Sequence, residues 1–389
     1  MKLIPLILLP ALLVPPLGHG HDRTGARVPV HVVMPHDARF QALIDAAVRE
    51  GLPGVSLRVK APGIDFKGVA GVADLATGEP FTTDHVMYVA SLGKTFTAAV
   101  ALQLCEEGRL ELDAPITTWL PLDVTGHIPF SGKITLRHLL SHTSGLVDYL
   151  NDDRAWQADF YREPRRQWTN SEVVPYVFDR PPLFEPGADF HYSNSNYILA
   201  GWIIERVTRQ PLHVLIRERI LAPLGLKHTF SGDETIGSEA RVHGYVRRRG
   251  RIIDTYRWYS LFGLADSGMH STADDLALFL KSLLSTDDVL SERMRTEMTK
   301  VPASGHPIHP YGIGIFVQRD PRGPGLWYGN NGVDPGYHAD MMYFPDHDLT
   351  VVLCANASQG MADLIYERLI STVVQLANES ARAIRLTVP

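Results

Sequence analysis

Two cysteines in 389 residues are too few for a disulfide scaffold, and Cys105 and Cys354 lack the paired spacing of a metal site. Cys105 falls in an apolar helical pattern and Cys354 in an apolar strand pattern, where a lone thiol usually acts as a small buried hydrophobe. Basic runs are scarce as well. None is longer than Arg247-Arg248-Arg249, and the formal net charge is -6, so the chain offers no stripe for a phosphate backbone and no nucleic-acid partner is expected. No apolar run reaches the ~20 residues of a membrane span. The first, over residues 3–14, follows Lys2, is broken by Pro5 and Pro10, and is followed by Pro15, Pro16 and the small-x-small Gly18-His19-Gly20. It reads as a signal peptide over residues 1–20, not a stable membrane anchor, and no cysteine follows it closely enough to carry a lipid. An exported protein, periplasmic or secreted, is expected. There is no Gly-x-Ser-x-Gly for an α/β-hydrolase nucleophile, and 17 histidines include no His-Glu-x-x-His, so metal catalysis is not indicated.

What is present is ordinary globular usage, 45% hydrophobic and 21% charged, without repeats or low-complexity tracts. Residues 54–60 and 64–74 alternate around Pro62-Gly63, which predicts a hairpin. From Ser91 the chain is apolar nearly all round until Gly108, which predicts a buried helix. Between 113 and 300, helical stretches such as 171–178, 197–207 and 273–284 alternate with Pro/Gly-rich loops. Strand patterns return at 311–318, 326–328, 339–344 and 349–355, and a helix over 361–376 closes the chain. Neither terminal strand group makes a stable sheet alone. The expected fold is therefore α+β: an antiparallel sheet built from N- and C-terminal strands and flanked by helices, with an inserted mainly α-helical lobe. By this reading one domain covers 37–378, with a sheet lobe at 37–112 and 301–378, a helical lobe at 113–300, and a cleft between them.

Ser91-Leu92-Gly93-Lys94 opens the buried helix, and a separation of three residues brings hydroxyl and amine to the same end of it. The helix start also offers the Ser91 N–H and the positive dipole end to a developing oxyanion. An N-cap serine followed by a solvated lysine is the ordinary reading of such spacing. Here, however, Lys94 interrupts an apolar helix; held there unpaired it would shed its charge, because desolvation disfavours the cation, and a neutral amine is what a base must be. Tyr192-Ser193-Asn194 is the second candidate: a phenol can relay a proton to a leaving group, and the Asn194 amide can bond both Lys94 and an acyl amide. Its letters alone are weak evidence, since Tyr149-Leu150-Asn151 and Tyr328-Gly329-Asn330 match them. The third candidate runs from Tyr328 to Tyr337 through Asn330, Asn331, Gly332 and Val333, a glycine-rich strand end where backbone can approach a ligand and the Val333 N–H could complete an oxyanion hole. The same residues would also build a tight turn. Ser141, His142 and Ser144 are read as scaffold, too close in sequence to form a catalytic pair.

These three elements, in this order, resemble those of the serine β-lactamase and D-alanyl-D-alanine carboxypeptidase family, nearest to its class C β-lactamase and low-molecular-mass peptidase branch. Gly108-Arg109-Leu110-Glu111-Leu112-Asp113, the stretch Ile134 through His142-Thr143-Ser144-Gly145-Leu146, and Ser271-Thr272-Ala273-Asp274-Asp275-Leu276 extend the resemblance to roughly residues 40–378. It implies that Ser91 is the nucleophile, Lys94 its base, Tyr192 the proton relay and Asn194 a substrate contact. It implies an acyl-enzyme and a small-molecule or peptide substrate, with no cofactor and no metal. One departure stands out. The family usually places Lys-Thr-Gly, His-Thr-Gly or His-Gly-Gly where this chain has Asn330-Asn331-Gly332, so no cation stands ready for a substrate carboxylate. A D-alanyl-D-alanine carboxypeptidase-like peptidase or amidase is the leading expectation; an esterase or β-lactamase is the alternative on the same site, and a non-catalytic penicillin- or peptide-binding sensor the alternative of another class.

Overall fold

The structure, a computed structural model, describes residues 19–21, 27–29, 36–163, 166–231, 241–258, 263–306, 308–320, 325–358, 360 and 363–387. Residues 1–18 of the expected signal peptide thus lie outside the described residues.

Helix α1 (His36–Arg49) leads into β1 (Gly54–Ala61) and β2 (Ile64–Asp74), which pair antiparallel from Gly54↔Gly71 to Ala61↔Ile64 across the Pro62-Gly63 turn. Gly63 has φ +79, a conformation that a side chain disfavours. The short β3 (Glu79–Pro80) follows, then α2 (Gly93–Glu106), α3 (Asn194–Thr208) and α4 (Ala273–Ser285). The chain returns to the sheet through β4 (Phe316–Asp320), β5 (Gly325–Asp334), β6 (Tyr337–Phe344) and β7 (Leu349–Ala355), and closes with α5 (Asp363–Thr387). The seven strands lie in the order β4-β5-β6-β7-β1-β2-β3, every neighbour antiparallel. Pairing of β7 with β1, Thr350↔Lys60 to Ala355↔Val55, joins the two ends of the chain in one sheet, as the strand count required.

Every residue of β7 is buried because both faces of the sheet are covered. Val351, Leu353 and Ala355 share one apolar cluster with Phe40 and Ile44 of α1 and Val373 and Ala377 of α5. Val352 and Cys354 point into the other cluster, with α2, α3 and α4. At ~25 cal/mol per Å² of apolar surface removed from water, these two clusters are the main source of stability. Neither Cys105 nor Cys354 is bonded.

Several boundaries differ from the pattern reading. Helix α4 lies within the stretch 113–300 yet packs on the sheet, against β1, β6 and β7, while its Phe279 stacks on Phe96 of α2 at 3.7 Å. Arg58 of β1 fastens its first turn through Asp274 at 2.6 Å. The helix expected over 171–178 is a short α-turn, Asn170–Val173, followed by a 3-10 turn, Val174–Val177, because Pro175 has no N–H to continue the ladder. The strand expected from 311 begins only at Phe316, since Gly314 takes φ +72 and turns the chain. The last helix starts at Asp363 and runs on past 376 to Thr387, its Ser380 hydroxyl meeting His36 of α1 at 2.8 Å.

Candidate active site

Ser91 does not open α2 as its spacing suggested. It lies in a 3-10 turn, Ala90–Leu92, and the α-helix begins at Gly93. Ala90 has φ +48, a strained value for a residue with a Cβ, immediately before the candidate nucleophile. Gly93 is required by contact: a Cβ there would lie 1.9 Å from the Ser267 carbonyl oxygen, so only glycine lets the 266–267 segment approach the helix start.

That approach builds the lysine site. Lys94 is 0% exposed, and its Nζ lies 3.0 Å from Ser91 Oγ, 2.7 Å from Asn194 Oδ1 and 2.6 Å from the Asp266 carbonyl oxygen. The amine is therefore not unpaired, as the apolar pattern of its helix suggested. Three acceptors match the three protons of an ammonium. They match a neutral amine as well: two N–H bonds serve Asn194 and Asp266, and the remaining lone pair faces the Ser91 hydroxyl. The site can thus hold the amine in the form that accepts a proton without orphaning a buried carbonyl.

Asn194, at the first turn of α3, is itself held. Its Nδ2 donates to Asp148 at 3.2 and 3.0 Å and its backbone N–H to the same carboxylate at 3.2 Å. Asp148, 2% exposed, also accepts from the Leu150 N–H, capping the turn Tyr149–Asp152. With the NH2 end of Asn194 on a carboxylate, its oxygen must face Lys94. Both ends of that amide are engaged within the protein, so a substrate contact by Asn194 has to compete with Asp148. Asp148 was missed by sequence reasoning; its only signal is its place directly after the His-Thr-Ser-Gly-Leu-Val stretch.

Two further carboxyl groups crowd the amine. Asp266, accepting from Tyr149 OH at 2.9 Å and Ser267 Oγ at 3.1 Å, is pushed above the usual carboxylate range by burial, with Lys94 pulling the other way. Asp334, at the end of β5, is pushed up to about 7 by burial and by the neighbouring Asp266, opposed by Lys94 and a hydrogen bond with Tyr88. Tyr192 reaches the site from the loop before α3: its ring centroid is 5.1 Å from Lys94 Nζ.

Asn330, Asn331 and Gly332 lie inside β5 and not at its end; the turn falls at Pro335-Gly336, where Gly336 has φ +94. Pairing with β4 stops at Phe316↔Gly329, so from Asn330 onward β5 is paired with β6 and its other side is turned to the Ser91 turn. A Cβ on Gly332 would sit 2.2 Å from the Val89 carbonyl oxygen and 3.0 Å from the Ser91 nitrogen. The strand is therefore pressed against the backbone that carries the nucleophile. Asn330, 2% exposed, turns inward, donating to Thr95 Oγ1 at 3.1 Å and the Gly314 carbonyl at 3.3 Å. It ties β5 to α2, and its amide donor is engaged within the protein. Asn331 is partly exposed on the opposite side, and Val333 is 45% exposed.

Ser141 and Ser144 are satisfied within the scaffold, Ser141 Oγ by the Arg137 carbonyl and Ser144 Oγ by Asn196. Among the described residues no group of three His, Cys, Asp or Glu side chains could hold a metal ion, and no helix is long and apolar enough to cross a membrane.

A two-lobed α+β fold with a Ser-x-x-Lys pair whose lysine is buried, beside a tyrosine and an open strand edge, defines a serine hydrolase of the β-lactamase and penicillin-binding type. The family model described as Beta-lactamase matches residues 40–373, and the chain belongs to that family. It is 27% identical over 333 residues to a penicillin-binding protein of Bacillus subtilis (strain 168), covering 82% of this chain and 70% of that one. Among solved structures it is similar to a D-stereospecific amidohydrolase from Streptomyces sp., with TM-score 0.75, 31% identity, and coverage of 86% of this chain and 98% of that one. It is similar also to the D-amino acid amidase from Ochrobactrum anthropi SV3 complexed with L-phenylalanine, with TM-score 0.77, 28% identity, and coverage of 90% and 99%.

Proposed function

We propose that the protein is a D-alanyl-D-alanine carboxypeptidase-like serine hydrolase that works as an amidase, cleaving neutral amides of D-configured acyl groups through an acyl-enzyme on Ser91. The observation that carries the reading is the fully buried Lys94 amine, held by Asn194 and Asp266 with the Ser91 hydroxyl 3.0 Å away. In the proposed sequence Ser91 Oγ attacks the carbonyl carbon while its proton passes to Lys94 Nζ. The backbone N–H groups of Ser91 and Val333 receive the oxyanion. Tyr192 gives its proton to the leaving nitrogen and is refilled by the proton that Lys94 holds, so that the C–N bond breaks and Lys94 is neutral again; water then attacks the ester, Lys94 taking the proton of the water and returning it to Ser91 Oγ as the acid departs.

Two facts bear on the substrate. The solved structures just described are named as a D-stereospecific amidohydrolase and a D-amino acid amidase, and Asn330 turns inward where the family usually offers a cation, so a free carboxylate next to the scissile bond has no partner from that position. Neutral amides, and esters as a second choice, fit better than carboxylate-bearing substrates. Turnover should be measured on D- and L-phenylalanine amide, acetyl-D-Ala-D-Ala, a penicillin and short-chain aryl esters. The expected result is amide hydrolysis with ~100-fold preference for the D form. Fastest turnover of the penicillin would overturn the reading in favour of a β-lactamase; no turnover, and no adduct from a fluorophosphonate or a fluorescent penicillin, would overturn it in favour of a sensor.

The reading includes export, on the strength of Lys2, the short apolar run and Gly18-His19-Gly20. Protein recovered from outside the cytoplasm is expected to begin shortly after Gly20 by intact mass. A full-length chain confined to the cytoplasm would contradict that.

A further inference from the structure

His142 has no part in the proposed sequence of steps, yet it grips the candidate proton relay from three sides. It is fully buried at φ +60, a conformation that costs a β-carbon residue energy and persists only where its surroundings enforce it. Its carbonyl oxygen accepts the His191 N–H at 3.0 Å, and its ring Nδ1 accepts the Ser193 N–H at 3.2 Å. The two peptide N–H groups that flank Tyr192 are therefore both fixed by one residue. The Tyr192 ring itself lies on the imidazole, centroids 4.2 Å apart and planes 30° from parallel.

The imidazole is in turn fixed. Asn196 Nδ2 stands 3.2 Å from the same Nδ1, and Asn196 Oδ1 accepts the Ser144 hydroxyl, which settles which end of that amide faces the ring. Two donors converging on Nδ1 place the ring proton on Nε2. Tyr311 at 4.9 Å, Tyr197 at 5.3 Å and Phe190 at 6.0 Å wall the remaining directions. Burial first, then Lys94 and His191, hold the imidazole well below its usual pKa, so it remains neutral.

We propose that His142 is a positioning residue for the reaction, setting the place and plane of the Tyr192 phenol beside Lys94 and thereby the rate at which the leaving group is protonated. This rests on the reading of Tyr192 as the relay. A ring that only filled space would not need to accept the N–H of the very next residue, nor would its own carbonyl hold the residue before. Scaffold and function meet in the same side chain: the stretch from Ser141 to Gly145 holds α3 through Ser144 and Asn196, and through His142 it holds the residue that precedes α3 by one.

The test uses leaving-group dependence. The same acyl group is presented as an amide, whose nitrogen must be protonated to depart, and as a p-nitrophenyl ester, whose phenolate leaves unaided. Tyr192→Phe is expected to lose ~10² to 10³-fold in kcat on the amide and ~10-fold or less on the ester. His142→Phe, which keeps a ring and removes the acceptor, is expected to show the same pattern at ~10 to 100-fold on the amide, with KM changed by less than ~3-fold. The double variant should lose no more on the amide than Tyr192→Phe alone, because both changes disable one step. His142→Asn, which restores an acceptor near the position of Nδ1, should recover part of the loss and serves as the second probe should the phenylalanine variant fail to fold. Equal losses on amide and ester in the His142 variants, or losses that multiply in the double variant, would overturn the inference. A Tyr192→Phe enzyme that does not discriminate between the two leaving groups would instead overturn the relay reading, a failure visible in the tyrosine variant alone.

Discussion

Ser91→Ala is expected to lower kcat on the best amide substrate by ~10⁵-fold and to abolish every covalent adduct with fluorophosphonate or penicillin probes, while the protein stays folded. Stability should hold because the Ser91 side chain is only partly buried and the change removes one hydroxyl, whose lost bond to Lys94 leaves that amine its two other acceptors. Intact-mass spectrometry after incubation with the probe reads the adduct, and thermal unfolding reads the fold. An undiminished adduct on the alanine variant would move the nucleophile elsewhere and dissolve the proposed function.

The second large effect concerns Lys94. Lys94→Arg is expected to be as inactive as Lys94→Met, both down by ~10⁴-fold or more, although only the methionine removes the charge. A guanidinium does not give up its proton at any accessible pH, so an arginine preserves the field at Ser91 and cannot serve as a base. Were the lysine simply an electrostatic prop for Ser91, the arginine enzyme would retain much of the rate, and that result would sink the base assignment. The methionine variant carries a further cost. It leaves Asn194 Oδ1 and the Asp266 carbonyl without their buried donor, and each unsatisfied acceptor destabilises by about 1–3 kcal/mol, which urea unfolding can resolve. A methionine variant as stable as the parent would show that those carbonyls find other partners when the amine is gone.

The two changes probe different layers of one arrangement. Ser91 reports on the bond being made; Lys94 reports on where its proton goes. The shell behind them decides whether either works. Asp148 turns the Asn194 oxygen toward the amine, Gly93 lets the Asp266 carbonyl approach, and Gly332 lets β5 lie against the Ser91 backbone. Each is a contact between segments far apart in the chain: Lys94 and Asn194 are 100 residues apart, and Lys94 and Asp266 are 172 apart. Local spacing carries no information about such distances.

Much of the architecture was legible because it rests on short-range pattern. The alternation on either side of Pro62-Gly63 determined the first hairpin, and the mostly apolar run after Lys94 determined a buried helix. The pairing of N- and C-terminal strands followed from a count, since neither group could form a sheet alone, and β7 does lie beside β1. Boundaries failed where a backbone angle or a distant partner intervened. Ser91 was placed in the α-helix because spacing does not distinguish a 3-10 turn from the first α-turn, and α4 was grouped with the helical lobe because its sequence says that it is amphipathic and not which surface it covers.

The sequence by itself determined which chemistry the protein could perform: a hydroxyl and an amine three residues apart on a buried helix, a phenol in reserve, and no cation in the third segment. Only the tertiary structure decided how that amine is held and what the odd third segment does. Lys94 proved paired where its own helix suggested isolation, and Asn330 proved to be a brace between β5 and α2 where a ligand contact had been expected. The physical reason is the same in both cases: hydrogen-bond partners of a buried polar group are chosen by whichever backbone comes within about 3 Å, and that proximity is a property of the packed chain.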